Sequence, residues 1–317
     1  MTVQVVYSVI VPLFNEEEVI EETHRRLSEV MEKTGEAYEL IFVDDGSRDR
    51  SREIICGLCK NDPHARLIGF SRNFGHEAAT SAGLSRAGGE AIVIIDADLQ
   101  DPPEVILEMI DKWREGYKVV YGKRKVRKGE NIFKRATASI FYRLLNALSS
   151  ISIPMDTGDF RLIDRQVCRA MRQMPEKNRF IRGMVSWVGF KTTAVEYVRD
   201  ERWAGETKYS FSKLLALAWD AVTSFSYKPL KLATYVGFIL SFASFVYLIV
   251  VIVQRIGDPT AVPGWASIVV INLFFNGVIL IMLGILGEYL GRIFEETKNR
   301  PLYIIEFTEG FGDDGIT

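Results

Sequence analysis

The 317-residue sequence has little cysteine, little histidine and almost no net charge. Its three cysteines are too few for a disulfide framework, which indicates a reducing compartment. Cys56 and Cys59 have the CxxC spacing of redox and zinc sites, but no second pair follows, so we interpret them as structural residues. The three histidines are scattered and receive no role. A formal charge of −2 gives no attraction for nucleic acid, which we do not expect as a partner.

The N-terminal sequence MTVQVVYSVIVPLF lacks the features of a signal peptide and is interpreted as a first strand. Long uncharged apolar runs lie instead at residues 232–253 and 265–287. At ~1.5 Å per residue, each run is long enough to cross a hydrocarbon core of ~30 Å. Both runs are apolar on every face, which argues against a buried soluble hairpin. The sequence therefore predicts two transmembrane helices.

Charges around the two predicted spans indicate their orientation. The connecting loop carries only Arg255 and Asp258, whereas basic residues lie on the outer sides of the spans: Lys228, Lys231, Arg292, Lys298 and Arg300. The positive-inside rule then places both termini in the cytoplasm of a multi-pass protein of the plasma or inner membrane. Asn272 and Asn276 lie one turn apart in the second span, where they favour either a homo-oligomer contact or packing between the two spans.

Before the spans, apolar β-branched runs alternate with helical patterns, which predicts an α/β fold with a mostly parallel, open sheet. Ligands of such sheets bind beyond the carboxyl ends of the strands. Polar segments follow four predicted strands, at residues 12–16, 44–47, 96–98 and 122–124. Helix capping explains one such segment well, but it explains four at one edge less well.

Asp96 and Asp98 directly follow the apolar residues 93–95, so both carboxylates are expected where a buried strand ends. Gln100 adds another oxygen donor. Oxygen ligands suit Mg²⁺ or Mn²⁺, and such an ion commonly completes its coordination with substrate phosphate. The segment therefore predicts a metal site.

The motifs SVIVPLFNEEE, VDDGSRD, IDADLQDPPE and GDFRLIDR occur in this order, and GEYLGRIFEE ends the second apolar run. Together they resemble the family-two glycosyltransferases, most closely the branch of dolichyl-phosphate mannose synthase and bacterial polyisoprenyl-phosphate glucosyltransferases. The resemblance implies a GT-A-type fold and transfer of a hexose, with inversion, from a nucleotide-sugar to undecaprenyl or another polyprenyl phosphate. Glucose from UDP-glucose is the first expectation, and mannose from GDP-mannose is the second.

The resemblance also implies roles for individual residues. It assigns to the nucleotide pocket Pro12, Phe14 and Glu16. It makes Asp44 an acceptor for the base. It makes Asp96, Asp98 and Gln100 the ligands of the metal that bridges the donor diphosphate. A divalent cation at that position would neutralise the charge of the departing diphosphate.

A lipid phosphate brings further negative charge to this site, so cations are needed to offset the repulsion. The candidates are Arg124, Arg127, Arg135, Arg202 and Lys208. Guanidinium groups suit this role because they bind phosphate oxygens bidentately. The basic run at residues 123–128 has alternative interpretations as a solvated loop or as a contact with anionic lipid headgroups.

Asp159 matches the acceptor-side carboxylate of related inverting enzymes and joins Asp98, Arg202 and Lys208 in the predicted catalytic set. A phosphate monoester, with a second pKa of ~6, is already largely ionised at neutral pH. Asp159 is therefore expected to orient the acceptor or the sugar rather than to remove a proton. An Asp that only bonds Arg161 or the backbone is the alternative.

Two amphipathic stretches, at residues 133–148 and 209–225, have the basic and aromatic composition of interfacial helices, although core packing explains such stripes as well. The predicted organisation is a cytoplasmic catalytic domain at 1–207, a juxtamembrane helix at 208–229, two spans at 230–292 and a cytoplasmic tail at 293–317.

Two rival functions remain open. A processive polysaccharide synthase would carry Gln-x-x-Arg-Trp, but this chain has Arg199 at the glutamine position, and two spans are few for a polymer channel. A nucleotide-binding membrane scaffold without catalysis is the second rival, and the intact Asp96-Ala97-Asp98 motif argues against it.

Overall fold

The computed structural model describes residues 4–125, 157–199, 228–257 and 264–311. The chain divides into two units, one that contains the sheet and one that contains the two long helices. Arg127, Arg135, Arg202 and Lys208 lie outside the described residues, as do both predicted amphipathic stretches.

The described strands are β1 (Tyr7–Leu13), β2 (Tyr38–Asp44), β3 (Ala65–Phe70), β4 (Ala91–Ile94), β5 (Val119–Arg124), β6 (Thr157–Asp164), β7 (Thr192–Tyr197) and β8 (Ile305–Glu309). The described helices are α1 (Ile20–Glu32), α2 (Ser51–Asn61), α3 (His76–Arg86), α4 (Val105–Arg114), α5 (Arg165–Arg172), α6 (Ile181–Trp187), α7 (Lys228–Gly257) and α8 (Trp265–Thr297).

All eight described strands form one sheet in the order β7-β5-β6-β4-β1-β2-β3-β8. The pairs β1–β2, β1–β4, β2–β3 and β5–β7 are parallel, whereas β6 runs against β4 and β5, and β8 runs against β3. The predicted mostly parallel α/β sheet is confirmed. Because β6 and β8 are reversed, their amino ends lie at the edge where the parallel strands have their carboxyl ends.

The centre of the sheet is covered on both faces, as its uninterrupted apolar strands predict. Every residue of β1 and β2 is buried. Helix α1 buries one side through Ile20, Leu27 and Met31, which recur at helical spacing. The paired cysteines lie on α2, where burial raises the pKa of the Cys59 thiol to about 12 and keeps it protonated.

In the helical unit, one segment of the described residues is long and apolar enough to cross a membrane, Phe274–Thr297 within α8. Large apolar side chains on this segment are exposed, including Leu280, Leu283 and Leu290. The described part of α7 contributes only a shorter apolar stretch, Thr234–Tyr247. The second predicted span therefore stays a prediction, and so does the role of Asn272, whose amide donates to Ile268 O within its own helix at 3.1 Å.

Candidate active site

The residues that follow β4 alternate in exposure. Ile95, Ala97 and Leu99 are buried, whereas Asp96, Asp98 and Gln100 are partly exposed. The segment turns after the strand: Leu99 has a positive φ of 55°, and Asp98 Oδ1 accepts a hydrogen bond from the Gln100 amide at 3.2 Å. Three oxygen-bearing side chains are thus presented at the carboxyl edge of the sheet.

This donor set fits a hard divalent cation, because two carboxylates with an amide oxygen leave room for substrate phosphate in the coordination shell. No group of three His, Cys, Asp or Glu side chains that could hold a metal occurs within residues 4–125, 157–199, 228–257 and 264–311. Burial raises the pKa of Asp96 to about 6, with the charges of Asp159 and Asp98 adding to the rise and His76 opposing it. A carboxylate so crowded by negative charge is one that a bound cation would keep ionised.

Asp159 lies close to this edge because it is near the amino end of the reversed strand β6. Arg182 holds it with both nitrogens of one edge, Nε at 2.8 Å from Oδ1 and Nη2 at 2.7 Å from Oδ2. Burial alone would raise the pKa of Asp159, but the hydrogen bonds and charge of Arg182 lower it well below its usual range. The structure therefore presents Asp159 as a fixed, ionised carboxylate.

Arg161 supports the backbone of the same turn. Its Nη2 donates to Gly158 O at 2.8 Å and its Nε donates to Asp159 O at 3.1 Å. The side-chain contact, from Arg161 Nη2 to Asp159 Oδ1, is longer at 3.7 Å. Arg182, which has no recognisable local signal in the sequence, is thus the main side-chain partner of Asp159.

His76 lies between the two carboxylates. Its Nε2 is 3.8 Å from Asp96 Oδ1 and 3.7 Å from Asp159 Oδ2. Burial disfavours the charged ring, but these two carboxylates outweigh it and raise the pKa of His76. No sequence pattern marks His76, since it is one of three scattered histidines.

Two acids position His76 at the start of α3: Asp45 is buried and Glu77 is half-buried. The Asp45 carboxylate accepts hydrogen bonds from the amides of Phe74 at 2.6 Å and Gly75 at 2.9 Å. Glu77 Oε2 accepts from the Ile181 amide at 2.9 Å, which ties α3 to α6, the helix that carries Arg182. Partly buried hydrogen bonds from amides to carboxylates thereby fix both the start of α3 and its contact with α6.

A cleft of about 380 Å³ lies at the same edge, beyond β1, β2 and β3. Its walls are polar and carry three arginines; they comprise Phe14, Gly46, Ser47, Arg48, Arg52, Ser71, Arg72, Asn73 and Glu306. Of the residues predicted for the nucleotide pocket, Phe14 lines the cleft. Pro12 and Asp44 are buried and Glu16 is half-buried, and none of the three lines the cleft.

The loops around this cleft are joined by hydrogen bonds from backbone amides to side-chain oxygens, Asn15 Oδ1 and Ser47 Oγ. Asn15, with a positive φ of 56°, accepts a hydrogen bond from the Arg48 amide at 2.8 Å and donates from its own amide to Ser47 Oγ at 2.9 Å. Gly46 has a φ of 70°, and a Cβ there would lie 2.5 Å from the backbone carbon of Arg72. Only glycine satisfies both conditions at that position.

Arg124 lies at the carboxyl end of β5, with its Nη2 3.7 Å from Asp101 Oδ2 and its Nε 3.4 Å from the Tyr197 hydroxyl. The Tyr197 hydroxyl in turn donates to Asp101 Oδ1 at 2.6 Å. The Arg124 guanidinium is therefore held beside Asp101, the residue that follows Gln100. Its predicted contact with phosphate stays a prediction.

An open α/β sheet whose carboxyl edge carries an arginine-lined cleft and paired aspartates is the arrangement of a GT-A-like domain. The chain belongs to glycosyl transferase family 2, whose family profile, "Glycosyl transferase family 2", matches residues 8–172. A second profile, "GtrB C-terminal hairpin", matches residues 228–293. The resemblance to the polyisoprenyl-phosphate branch of this family is confirmed.

Full-length relatives agree with this membership. The "Uncharacterized glycosyltransferase YkcC" of Bacillus subtilis strain 168 is 56% identical, covering 98% of this chain and 96% of the relative. The "Prophage bactoprenol glucosyl transferase homolog" of Escherichia coli K12 is 45% identical, covering 94% and 98%. The "Bactoprenol glucosyl transferase" of Shigella phage SfV is 44% identical, covering 94% and 97%.

Proposed function

We propose that the protein transfers a hexose, glucose from UDP-glucose in the first instance, to a polyisoprenyl phosphate such as undecaprenyl phosphate, with inversion at the anomeric carbon. The observation that carries this proposal is that Asp96, Asp98 and Asp159 lie at the carboxyl edge of the sheet, with His76 between Asp96 and Asp159, and that the same edge carries an arginine-lined cleft. Relatives named for glucosyl transfer to bactoprenol support the same substrate classes.

The donor nucleotide would occupy the cleft. Arg48, Arg52 and Arg72 give it positive charge, which suits a diphosphate, and Phe14 offers an aromatic surface at one side. The Asp96-Ala97-Asp98 segment lies at the same edge of the sheet, where the diphosphate would meet it.

Asp96, Asp98 and Gln100 would hold a Mg²⁺ or Mn²⁺ ion. Such an ion supplies charge neutralisation for the diphosphate as it departs. Asp98 is fixed by the Gln100 amide, and Asp96 is crowded by neighbouring carboxylates, so the chain itself favours a cation at this position.

The acceptor requires no proton removal. One oxygen of the ionised lipid phosphate attacks the anomeric carbon, the bond from that carbon to the diphosphate oxygen breaks, and the nucleoside diphosphate carries away the electron pair. Asp159, held ionised by Arg182, then orients sugar or acceptor rather than acting as a general base. Arg124 and the predicted Arg127, Arg135, Arg202 and Lys208 would offset the charge of the acceptor phosphate.

The lipid acceptor implies that catalysis takes place at a membrane. The candidate span in α8 supports one membrane helix. We propose α7 as the second, since the C-terminal hairpin profile covers both helices. We propose a multi-pass protein with residues 1–207 and both termini in the cytoplasm, and with residues 208–229 along the interface.

Radiolabelled sugar transfer tests the proposal. Full-length protein in lipid nanodiscs would receive labelled UDP-glucose, undecaprenyl phosphate and Mg²⁺ or Mn²⁺, with GDP-mannose as the competing donor. A single labelled hexose in the lipid extract supports the proposal, and mannose labelling would shift it to a mannosyltransferase. A labelled polymer would indicate a polysaccharide synthase, and no transfer from any donor would favour a non-catalytic scaffold.

A further inference from the structure

Strand β8 brings the segment that follows α8 into the donor cleft. It pairs antiparallel with β3 at the end of the sheet, so its amino end lies at the carboxyl edge. Phe70 pairs with Ile305 and Gly69 with Phe307, which leaves Glu306 as the extra residue of a β-bulge. Bulges redirect side chains near binding sites, and Glu306 lines the cleft.

Two aromatic side chains, Tyr303 and Phe307, pack this segment against β3. The Phe307 ring occupies the space above Gly69, where any Cβ would overlap it. Tyr303 stacks on Phe70 with ring centroids 5.0 Å apart and an interplanar angle of 10°. The bulge at Glu306 is therefore flanked on both sides by packed aromatic rings, which fix where its carboxylate lies.

Arg52 connects Glu306 to the base of the cleft. Its Nε donates to Asp44 Oδ2 at 2.8 Å and its Nη1 donates to Glu306 Oε2 at 2.8 Å. Its Nη2 donates to Phe70 O at 2.9 Å, and the guanidinium lies 5.0 Å from the centroid of the Phe307 ring. Each nitrogen of the guanidinium thus has a partner, and one of these partners comes from β8.

Asp44 differs from Arg52 and Glu306 in that it is not exposed to the cleft. Asp44 is fully buried and does not line the cleft, whereas Arg52 and Glu306 do. The side chains that a nucleoside meets at this end of the cleft are therefore the arginine and the glutamate, with Asp44 anchoring the arginine from below.

We infer that β8 completes the donor site, with Glu306 acting as a positioning residue that orients Arg52 for binding of the nucleoside diphosphate. This inference rests on the proposed function in that the ligand is the nucleotide part of the donor. It makes the segment after the membrane helices part of the catalytic domain's binding site.

Nucleotide binding to the full-length protein tests the inference separately from catalysis. Titration calorimetry would first compare UDP with GDP in the presence of Mn²⁺. Glu306→Ala is expected to weaken binding of the preferred nucleotide about tenfold, because a charge-assisted contact to Arg52 is lost. Glu306→Gln, which keeps an acceptor oxygen, should recover part of that loss. Glu309→Ala, on the same strand but outside the cleft lining, should change affinity less than about twofold.

A double-mutant cycle provides the deciding comparison. If Glu306 acts through Arg52, Glu306→Ala should have almost no further effect on affinity in an Arg52→Ala background. In turnover assays, Glu306→Ala should raise the donor KM and leave the lipid KM unchanged. Equal nucleotide affinity in wild type and Glu306→Ala would overturn the inference while leaving the proposed function intact, whereas no nucleotide binding by wild type would instead overturn the proposed function.

Discussion

Arg182 donates a hydrogen bond to each carboxylate oxygen of Asp159, with Nε–Oδ1 and Nη2–Oδ2 distances of 2.8 and 2.7 Å. A bidentate pair of this kind fixes the carboxylate in direction as well as in charge. In the proposed reaction the acceptor phosphate needs no general base, so we expect this rigid pair to hold a fixed negative charge that orients the sugar or the acceptor.

Asp159→Asn should lower kcat by up to about 10²-fold, because orientation is disturbed while the acceptor stays ionised. Asp159 itself should add no limb to the pH profile between about pH 6 and 9, since its lowered pKa keeps it ionised throughout that range in the wild type. Any limb set by His76 should move to lower pH in the variant, because a carboxylate that raises the pKa of His76 is removed. Steady-state kinetics across pH would check both points. Loss of a pH-dependent limb in the variant would instead indicate a general base.

Asp98→Ala should abolish transfer while leaving the fold intact, because the metal loses a carboxylate ligand. Asp111→Ala, an exposed aspartate on α4, is the matched control and should keep wild-type activity. Transfer to extracted lipid, with circular dichroism to verify folding, provides the measurement. Full activity of purified Asp98→Ala protein would refute the metal assignment.

Gly46→Ala should destabilise the protein and weaken nucleotide binding, because it combines a positive φ with a backbone clash against Arg72. Gly35→Ala is a suitable control, since Gly35 has a φ of 66° but nothing within 4 Å of an added Cβ. Gly35→Ala should lower the free energy of unfolding by only about 1 kcal/mol, the cost of placing alanine at a positive φ. Gly46→Ala should lower it by more. Urea unfolding of both variants would show the difference, and equal losses would mean that the close approach is unimportant.

Asp164→Asn should reduce stability at neutral pH by about 1–2 kcal/mol, because charged hydrogen bonds are lost. Asp164 accepts from Trp113 Nε1 at 2.8 Å, from Lys118 Nζ at 2.9 Å and from the Gln166 amide at 2.9 Å. Although burial opposes ionisation, these partners lower the pKa of Asp164. Its contribution to the free energy of unfolding is therefore present above the usual Asp pKa of ~4 and is lost as pH falls through the lowered pKa. Unfolding measured from pH 7 downward should show the variant and the wild type converging in acid. A constant difference would contradict the assignment.

Sequence patterns predicted the centre of the sheet well. Continuous apolar runs that end in polar residues marked β1, β2 and β4, and they placed Asp96 and Asp98 at the edge where the structure has them. Helix α3 begins at His76 because the Asp45 carboxylate binds the amides of Phe74 and Gly75 and holds them outside the helix, and no local sequence pattern marks this tertiary contact.

Residues contributed by reversed strands and tertiary pairs were not predictable in the same way. Arg182 lies on a seven-residue helix, and only the folded chain brings it to Asp159. Strand β8 has five residues and follows the second apolar run, so no local pattern connects Glu306 with Arg52, more than two hundred positions earlier. Pairing over such a separation depends on the sheet edge that β3 presents.

The proposed function requires that the two aspartates that follow β4 hold a divalent cation for the diphosphate of the donor. Crystals of the full-length protein with UDP and Mn²⁺, measured at the manganese absorption edge, test it most directly. We predict one anomalous peak within ligand distance of both Asp96 and Asp98 and of the UDP phosphates. A peak bound to the nucleotide but remote from both aspartates would contradict the account.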